Sequence, residues 1–182
     1  MKSSPPLWLK NIRHCPSPNC DERPGDARVD LLVIHNISLP PAQFGGPWIE
    51  DFFLNRLDTS EDAYFQEISH LRVSAHFLIK RDGEILQFVP LEKRAWHAGE
   101  SCFQGQHRCN DFSVGIELEG SDEIPYTDIQ YQRLAELSKA IMDVCPDITT
   151  ERITGHEHIA PGRKTDPGPA FDWPRYLALL NT

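Results

Sequence analysis

Four consecutive apolar residues, Leu31-Leu32-Val33-Ile34, run straight into a histidine, His35, and then into the turn-prone Asn36-Ile37-Ser38-Leu39-Pro40-Pro41. Residues 28–35 run apolar more than they alternate, which is the pattern of a strand buried on both faces. Such a strand needs a layer above and a layer below, and that requirement points to an α/β architecture. It also leaves a histidine just past a rigid element that can hold it in place.

The rest of the chain supplies the layers. Val73 to Ile79 reads as a strand, Arg81-Asp82-Gly83 has turn chemistry, and Glu84 to Pro90 returns as a second strand of a hairpin. Phe112 to Glu119 alternates: Val114, Ile116 and Leu118 face one side, and Ser113, Gly115, Glu117 and Glu119 face the other. Trp48, Ile49, Phe52, Phe53 and Leu57 recur at helical spacing. Thr127 with Gln130 forms a capping-box start for a helix carrying Leu134, Leu137, Ile141 and Cys145, which Pro146 stops. Asp172 caps a last short helix through Leu180. Residues 40–47 and 94–111 read as loops, and residues 1–27 as an irregular segment packed on the surface. The expectation is one domain over residues 1–182, with a mixed central β-sheet flanked by helices.

A chain of 182 residues can bury a real core. Its net charge of −9 argues against nucleic acid as a partner and gives no help on an anionic membrane. No apolar run approaches the length of a membrane span, and the N-terminus lacks the apolar core of a signal peptide. The chain therefore reads as cytoplasmic, with no obligate protein partner implied. Five cysteines, Cys15, Cys20, Cys102, Cys109 and Cys145, are odd in number and scattered, without a CxxC. Free thiols are the expectation, not a disulfide framework or a zinc ribbon.

The residues that carry chemistry gather in Thr154 to Pro169, which holds His156, His158, Lys164 and Asp166 among glycines and prolines. Pro161, Gly162, Pro167 and Gly168 exclude a continuous helix. His156-Glu157-His158 is therefore not the HExxH metal motif, which needs two histidines on one helical face. Catalytic zinc takes three protein ligands and keeps a position open. His35, a histidine of this loop free of helical constraint, and Asp166 fit that need; spacing alone leaves His156 and His158 as alternatives. Lys164 lies two residues before Asp166, so in an extended segment both side chains point the same way. Glu117 is a carboxylate in the middle of an apolar strand, costly unless paired or functional, whereas Glu119 reads as a surface or strand-end group. His97 reads as a cleft residue or as the partner of a loop carbonyl, His76 as structural, and His70 and His107 as surface residues.

Taken in order, Val33 to Ser38, Ser74 to Ile79, Arg94 to Gly99, Asn110 to Gly120 and Gly155-His156 through Pro169 resemble the type-2 N-acetylmuramoyl-L-alanine amidases, in particular the cytosolic branch that acts on anhydro-muropeptides. The resemblance covers nearly the whole chain. It implies a mixed sheet flanked by helices, shared with peptidoglycan recognition proteins. It implies one zinc on His35, His156 and Asp166, with Glu117 and Lys164 as the catalytic pair. It implies muropeptide contacts from Asn36, Arg72, Trp96, Arg108 and Arg163. Glu157-His158 departs from the family pattern and leaves the ligand set intact. The activity implied is hydrolysis of the amide between the lactyl group of anhydro-N-acetylmuramic acid and L-alanine. A zinc peptidase or other deacylase would be told apart by a substrate panel. A non-catalytic muropeptide-binding module would be marked by a lost ligand, and an enzyme lysing polymeric wall by an export signal.

Overall fold

The apolar run at Leu31 becomes an inner strand of a six-stranded mixed sheet. The computed structural model describes residues 7–25 and 27–182. Along them run β1 (Arg13–His14), β2 (Cys20–Glu22), β3 (Leu31–Ile37), α1 (Trp48–Phe53), α2 (Ala63–Ile68), β4 (Phe77–Ile79), β5 (Ile85–Gln87), β6 (Lys93–Ala95), β7 (Cys102–Phe103), β8 (Gln106–His107), β9 (Ser113–Glu119), α3 (Asp128–Val144), β10 (Ile153–Gly155), α4 (His156–Ile159) and α5 (Trp173–Leu180). The main sheet has the order β1-β5-β4-β9-β3-β10. The β4–β5 hairpin supplies its antiparallel pair, and the other neighbours run parallel.

Strand alternation sorts the core into layers. Leu32 and Ile34, Phe77 and Ile79, and Val114, Ile116 and Leu118 share one cluster with Leu134, Leu137 and Ile141 of α3 and Tyr176 of α5. On the opposite face Leu78 and Leu86 meet Phe52 and Phe53 of α1 and Phe65 of α2. There too Leu31 and Val33 pack with Ala98, Phe112 and Ile159. Each such side chain, fully buried, contributes about 1.5–3 kcal/mol by leaving water. The expected capping box at Thr127 and Gln130 is present, as is the Asp172 cap, which accepts from Arg175 N. Gln130 also donates from Nε2 to Ile79 O at 3.3 Å and Glu119 O at 3.0 Å, fixing the start of α3 to the strand ends.

The N-terminal segment differs from expectation. Of residues 1–27, those described are not merely irregular: β1 extends the sheet alongside β5, and β2 pairs with β6; residues 1–6 and 26 lie outside the described set. Arg23 carries the segment inward. Its guanidinium donates to the carbonyls of Asn110 at 3.0 Å, Asp111 at 3.1 Å, Leu91 at 3.2 Å and Ser113 at 2.9 Å. Burial pushes Arg23 down to about 10. The same segment shortens a predicted strand. Asn19 Nδ2 donates to Val73 O at 2.8 Å and Ser74 Oγ donates to Asn19 O at 2.6 Å, so the start of Val73 to Ile79 pairs with a loop and the ladder begins at Phe77.

Other boundaries also move. The helix expected as far as Leu57 ends at Phe53, and Asn55 is left-handed at φ 57°. Helix α2 had no signal of its own beyond the Asp62 cap, whose side chain accepts from Tyr64 N. Residues 94–111, expected as one loop, contain the β7–β8 hairpin and a 3-10 turn.

Replacing Arg23 by Met should lower unfolding free energy by about 2–4 kcal/mol, because four inward carbonyls lose a charged donor. Urea denaturation measures this. A change within about 0.5 kcal/mol, typical of a surface position, would contradict the role given to this residue.

Candidate metal centre and active-site cleft

Parallel register builds the site. His35 of β3 and Glu117 of β9 are direct partners, so their side chains leave the same face of the sheet. On the other side of β3, Gly155 of β10 pairs with Ile34, which delivers the next residue, His156, beside His35. His156 opens a single helical turn and is not free of helical constraint as expected. Asp166 arrives from beyond that turn. Glu157 N donates to Asp166 O at 2.9 Å. The next carbonyl, Pro167 O, accepts from Tyr126 Oη at 2.7 Å and Asn36 Nδ2 at 3.1 Å. A Cβ on Gly155 would lie 2.8 Å from Pro167 Cδ, so glycine allows this close crossing.

The outcome is a triangle of ligand atoms. His35 Nδ1 and His156 Nδ1 are 3.0 Å apart, and each is 3.0 Å from Asp166 Oδ2. His156 Nε2 donates to Ala98 O at 3.1 Å, so its Nδ1 lone pair points into the triangle. Two imidazole lone pairs and a carboxylate converging on one point suit a divalent transition metal. These residues are the metal-type cluster found among the described residues. His158 is exposed and turned away, with its ring near Trp173, so the choice left open by spacing falls to His156.

Protonation is set for metal binding. Burial pushes His35 down to about 4, against the pull of Asp166, and leaves it neutral. Burial opposes ionisation of Asp166 as well, but contacts from His156 and His35 prevail and hold its carboxyl well below the usual range. Glu117 goes the other way. Burial raises it well above the ordinary value, Asp166 adds to the rise, and Lys164 opposes it. Its Oε2 is buried without a hydrogen-bond partner, an arrangement that fits a polar group arriving with metal or substrate.

These groups line a cleft of about 350 Å³ that also includes Asn36, Tyr64, Trp96, His97 and Lys164. A more open groove continues past Asn36, Asp122, Arg163 and Lys164. Trp96 Nε1 donates to Asp21 Oδ1 at 3.2 Å, so the N-terminal segment sets this wall of the cleft. Arg163 donates from Nη2 to Ala98 O at 2.6 Å and Glu100 O at 2.5 Å, binding the rim together at the groove's edge.

Arg72 and Arg108, two of the expected substrate contacts, do not line this cleft. Arg72 donates from Nη1 to Ser69 O and Leu71 O, both at 2.9 Å, and lines a separate depression. Arg108 is 71% exposed and pairs with Asp111 at 3.2 Å; it does not line the cleft. Glu119, expected at the surface or at a strand end, is the last residue of β9; it is buried, and accepts from Gly45 N at 2.6 Å and Arg81 N at 2.9 Å. His97, ambiguous in sequence, lies in the cleft with Nδ1 2.9 Å from His35 Nε2. His76 is buried, and His70 and His107 are exposed, as expected. All five cysteines are unpaired. Asp122, Tyr126 and Asn110 support the site unannounced, because they sit in a turn, in irregular chain and in a 3-10 turn, where periodicity carries no signal.

Residues 25–169 match the family model of N-acetylmuramoyl-L-alanine amidase. The chain belongs to that family. It is 59% identical over 174 residues to the 1,6-anhydro-N-acetylmuramyl-L-alanine amidase AmpD of Escherichia coli K12, covering 96% of this chain and 94% of that one. A crystal structure of a selenomethionine AmpD derivative superposes with TM-score 0.92 at 58% identity, covering 95% of this chain and 96% of that one. The amidase AmiD of E. coli, solved with anhydro-N-acetylmuramic acid-L-Ala-D-γ-Glu-L-Lys, superposes with TM-score 0.61 at 31% identity, covering 87% of this chain and 60% of that one. The mixed sheet flanked by helices is thus the fold of these amidases.

Two predictions follow from the site's electrostatics. His35→Ala should abolish tight binding of a divalent metal measured by chelator competition, and His158→Ala should leave it intact; the reverse pattern would overturn the ligand set. Metal-free Glu117→Gln should be more stable than wild type at neutral pH. A raised carboxyl contributes stability that is present below about 4.5 and lost as pH rises through its folded value. The variant's advantage should therefore shrink as pH falls toward 4.5. Denaturant unfolding from pH 4 to 8 measures it, and a variant less stable at pH 7 would contradict this account.

Proposed function

We propose that this protein is a zinc amidase of the cytoplasm. It hydrolyses the amide between the lactyl group of 1,6-anhydro-N-acetylmuramic acid and L-alanine in anhydro-muropeptides recovered during cell-wall recycling. The observation that carries the reading is the His35–His156–Asp166 triangle beside Glu117, whose carboxylate is in strand register with His35 and lacks a partner on Oε2. The names and bound substrate of its relatives supply the substrate class. No helix among the described residues is long and apolar enough to cross a membrane.

Zinc held by the triangle would supply Lewis-acid chemistry, lowering the pKa of a water toward about 7 and polarising a carbonyl. The protein's own groups do the rest. Glu117, pushed upward by burial, takes the proton of the attacking water and passes it to the departing L-alanine nitrogen. Lys164, in the same cleft, provides a cation for the oxyanion that forms on the lactyl carbonyl. Trp96 offers a flat apolar wall to the sugar or peptide. Arg163 and Lys164 line the groove and give an acidic protein of net charge −9 a local basic rim for an anionic ligand. Asn36 acts on the Asp166 side, since its amide is committed to Asp122 Oδ1 at 2.8 Å and to Pro167 O. The substrate is a small molecule, and nucleic acid, membrane and an obligate protein partner have no part in the reading.

Glu117→Ala and Lys164→Ala should each keep stoichiometric zinc and lose about 10²–10³ in kcat on anhydro-muropeptide. Glu119→Ala should show itself in stability, because two backbone donors lose their acceptor. Zinc analysis and steady-state kinetics on the same samples test this. Near-wild-type turnover in Glu117→Ala would remove Glu117 from the chemistry.

A further inference from the structure

We propose that His97 is a positioning residue of the metal centre. It fixes the tautomer and ring plane of His35, and Gly115 is the space that admits it. The inference rests on the metal reading above.

The argument starts from proton counting. A neutral imidazole has one donor nitrogen and one acceptor nitrogen. His35 Nδ1 belongs to the ligand triangle, so its proton must sit on Nε2 and needs an acceptor. The group found there is Nδ1 of His97, at 2.9 Å. Only one of two nitrogens meeting at that distance can carry a proton, so His97 Nδ1 is bare. The proton of His97 is then on Nε2, which faces Ser113 Oγ at 3.2 Å. Hydrogen bonds thus run outward in one direction, from His35 to His97 to Ser113. The other histidine of the triangle uses a simpler device, a bond from Nε2 to a backbone carbonyl. Outer partners of this kind orient ligating histidines and raise their basicity.

Several contacts place this ring. His97 N at 3.2 Å and Ala98 N at 2.8 Å both donate to Asn110 Oδ1, which holds the main chain on either side of the ring. The ring meets His35 edge-on, with centroids 4.9 Å apart and an interplanar angle of 86°. It lies flat on the sheet at Gly115. A Cβ there would stand 2.6 Å from both Cγ and Nδ1 of His97. Gly115 is not among the residues with positive φ, so its backbone does not demand glycine, and the missing side chain is what the ring requires. Strand β9 therefore serves the centre twice, through Glu117 and through the vacancy two residues earlier on the same face.

The test compares His97→Leu, which removes the acceptor, with His97→Asn, whose Oδ1 occupies nearly the place of Nδ1. Zinc dissociation constants come from chelator competition, and folding is checked by thermal unfolding of the metal-free proteins. His97→Leu should bind zinc roughly 10–100-fold more weakly than wild type. His97→Asn should recover most of that loss, and Gly115→Ala should show a loss of the same sign. Nitrogen NMR of zinc-loaded wild type should find His97 protonated on Nε2 and bare on Nδ1, a readout independent of whether any variant folds. Equal zinc affinity in wild type and His97→Leu, or a His97 protonated on Nδ1, would overturn the inference alone. Wild type that takes up no zinc would instead overturn the metal reading on which it rests.

Discussion

The whole site depends on the parallel pairing of β3 with β9 in one register, His35 against Glu117. Side chains alternate along a strand, so a slip of one residue would turn Glu117 into the layer occupied by Leu134 and Leu137. Leu32, Ile34, Val114, Ile116 and Leu118 prevent such a slip, because each would have to leave an apolar layer. Hydrophobic burial, which is itself undirected, thereby becomes precise placement of two polar groups. β10 extends the same logic by one strand and brings His156 to His35 at its end.

That placement puts charge where burial opposes it. Glu117 is held well above the ordinary carboxylate range, His35 is held neutral, and Asp166 stays ionised only through its histidine contacts. Burial of Glu117 opposes stability at neutral pH, whereas the contacts that depress Asp166 add to it; together they match the proposed roles of a base with raised proton affinity and of ligands ready for a cation. The surrounding frame is correspondingly well bonded. Arg23 gathers four carbonyls, Arg94 bridges Asp21 and Asp111, and Asp21 in turn holds Trp96. The N-terminal segment is in this sense a wall of the active site.

Much of this could be read from residues alone. The alternation in Phe112 to Glu119 put Glu117 on the face opposite Val114 and Ile116, and the structure agrees. The Thr127 box, the Asp172 cap and the turn of the hairpin around Gly83 are local signals, satisfied by neighbours a few residues away, so they survive folding even though the hairpin's strands are shorter than expected. Errors arose where distant chain decides. Val73 lost its strand to Asn19, more than fifty residues earlier in sequence, and Glu119, though at a strand end as expected, is buried by its bonds to Gly45 and Arg81. Arg72 and Arg108, expected by resemblance to contact substrate, are engaged by a helix end and by Asp111, outside the lining of the cleft. His97 could not be assigned from sequence because its meaning lies in Gly115, a residue it meets only across the sheet.

The central claim is that water attacks the lactyl carbonyl of an anhydro-muropeptide, at a metal held by His35, His156 and Asp166. The most direct measurement is mass spectrometry of products formed in heavy-oxygen water by zinc-loaded and zinc-stripped protein. The account predicts one heavy oxygen in the lactyl carboxylate of anhydro-N-acetylmuramic acid and an unlabelled, intact stem peptide. It also predicts that stripping zinc stops the reaction and restoring zinc revives it. Cleavage within the stem peptide, or undiminished lactyl-amide cleavage by the zinc-free protein, would contradict it.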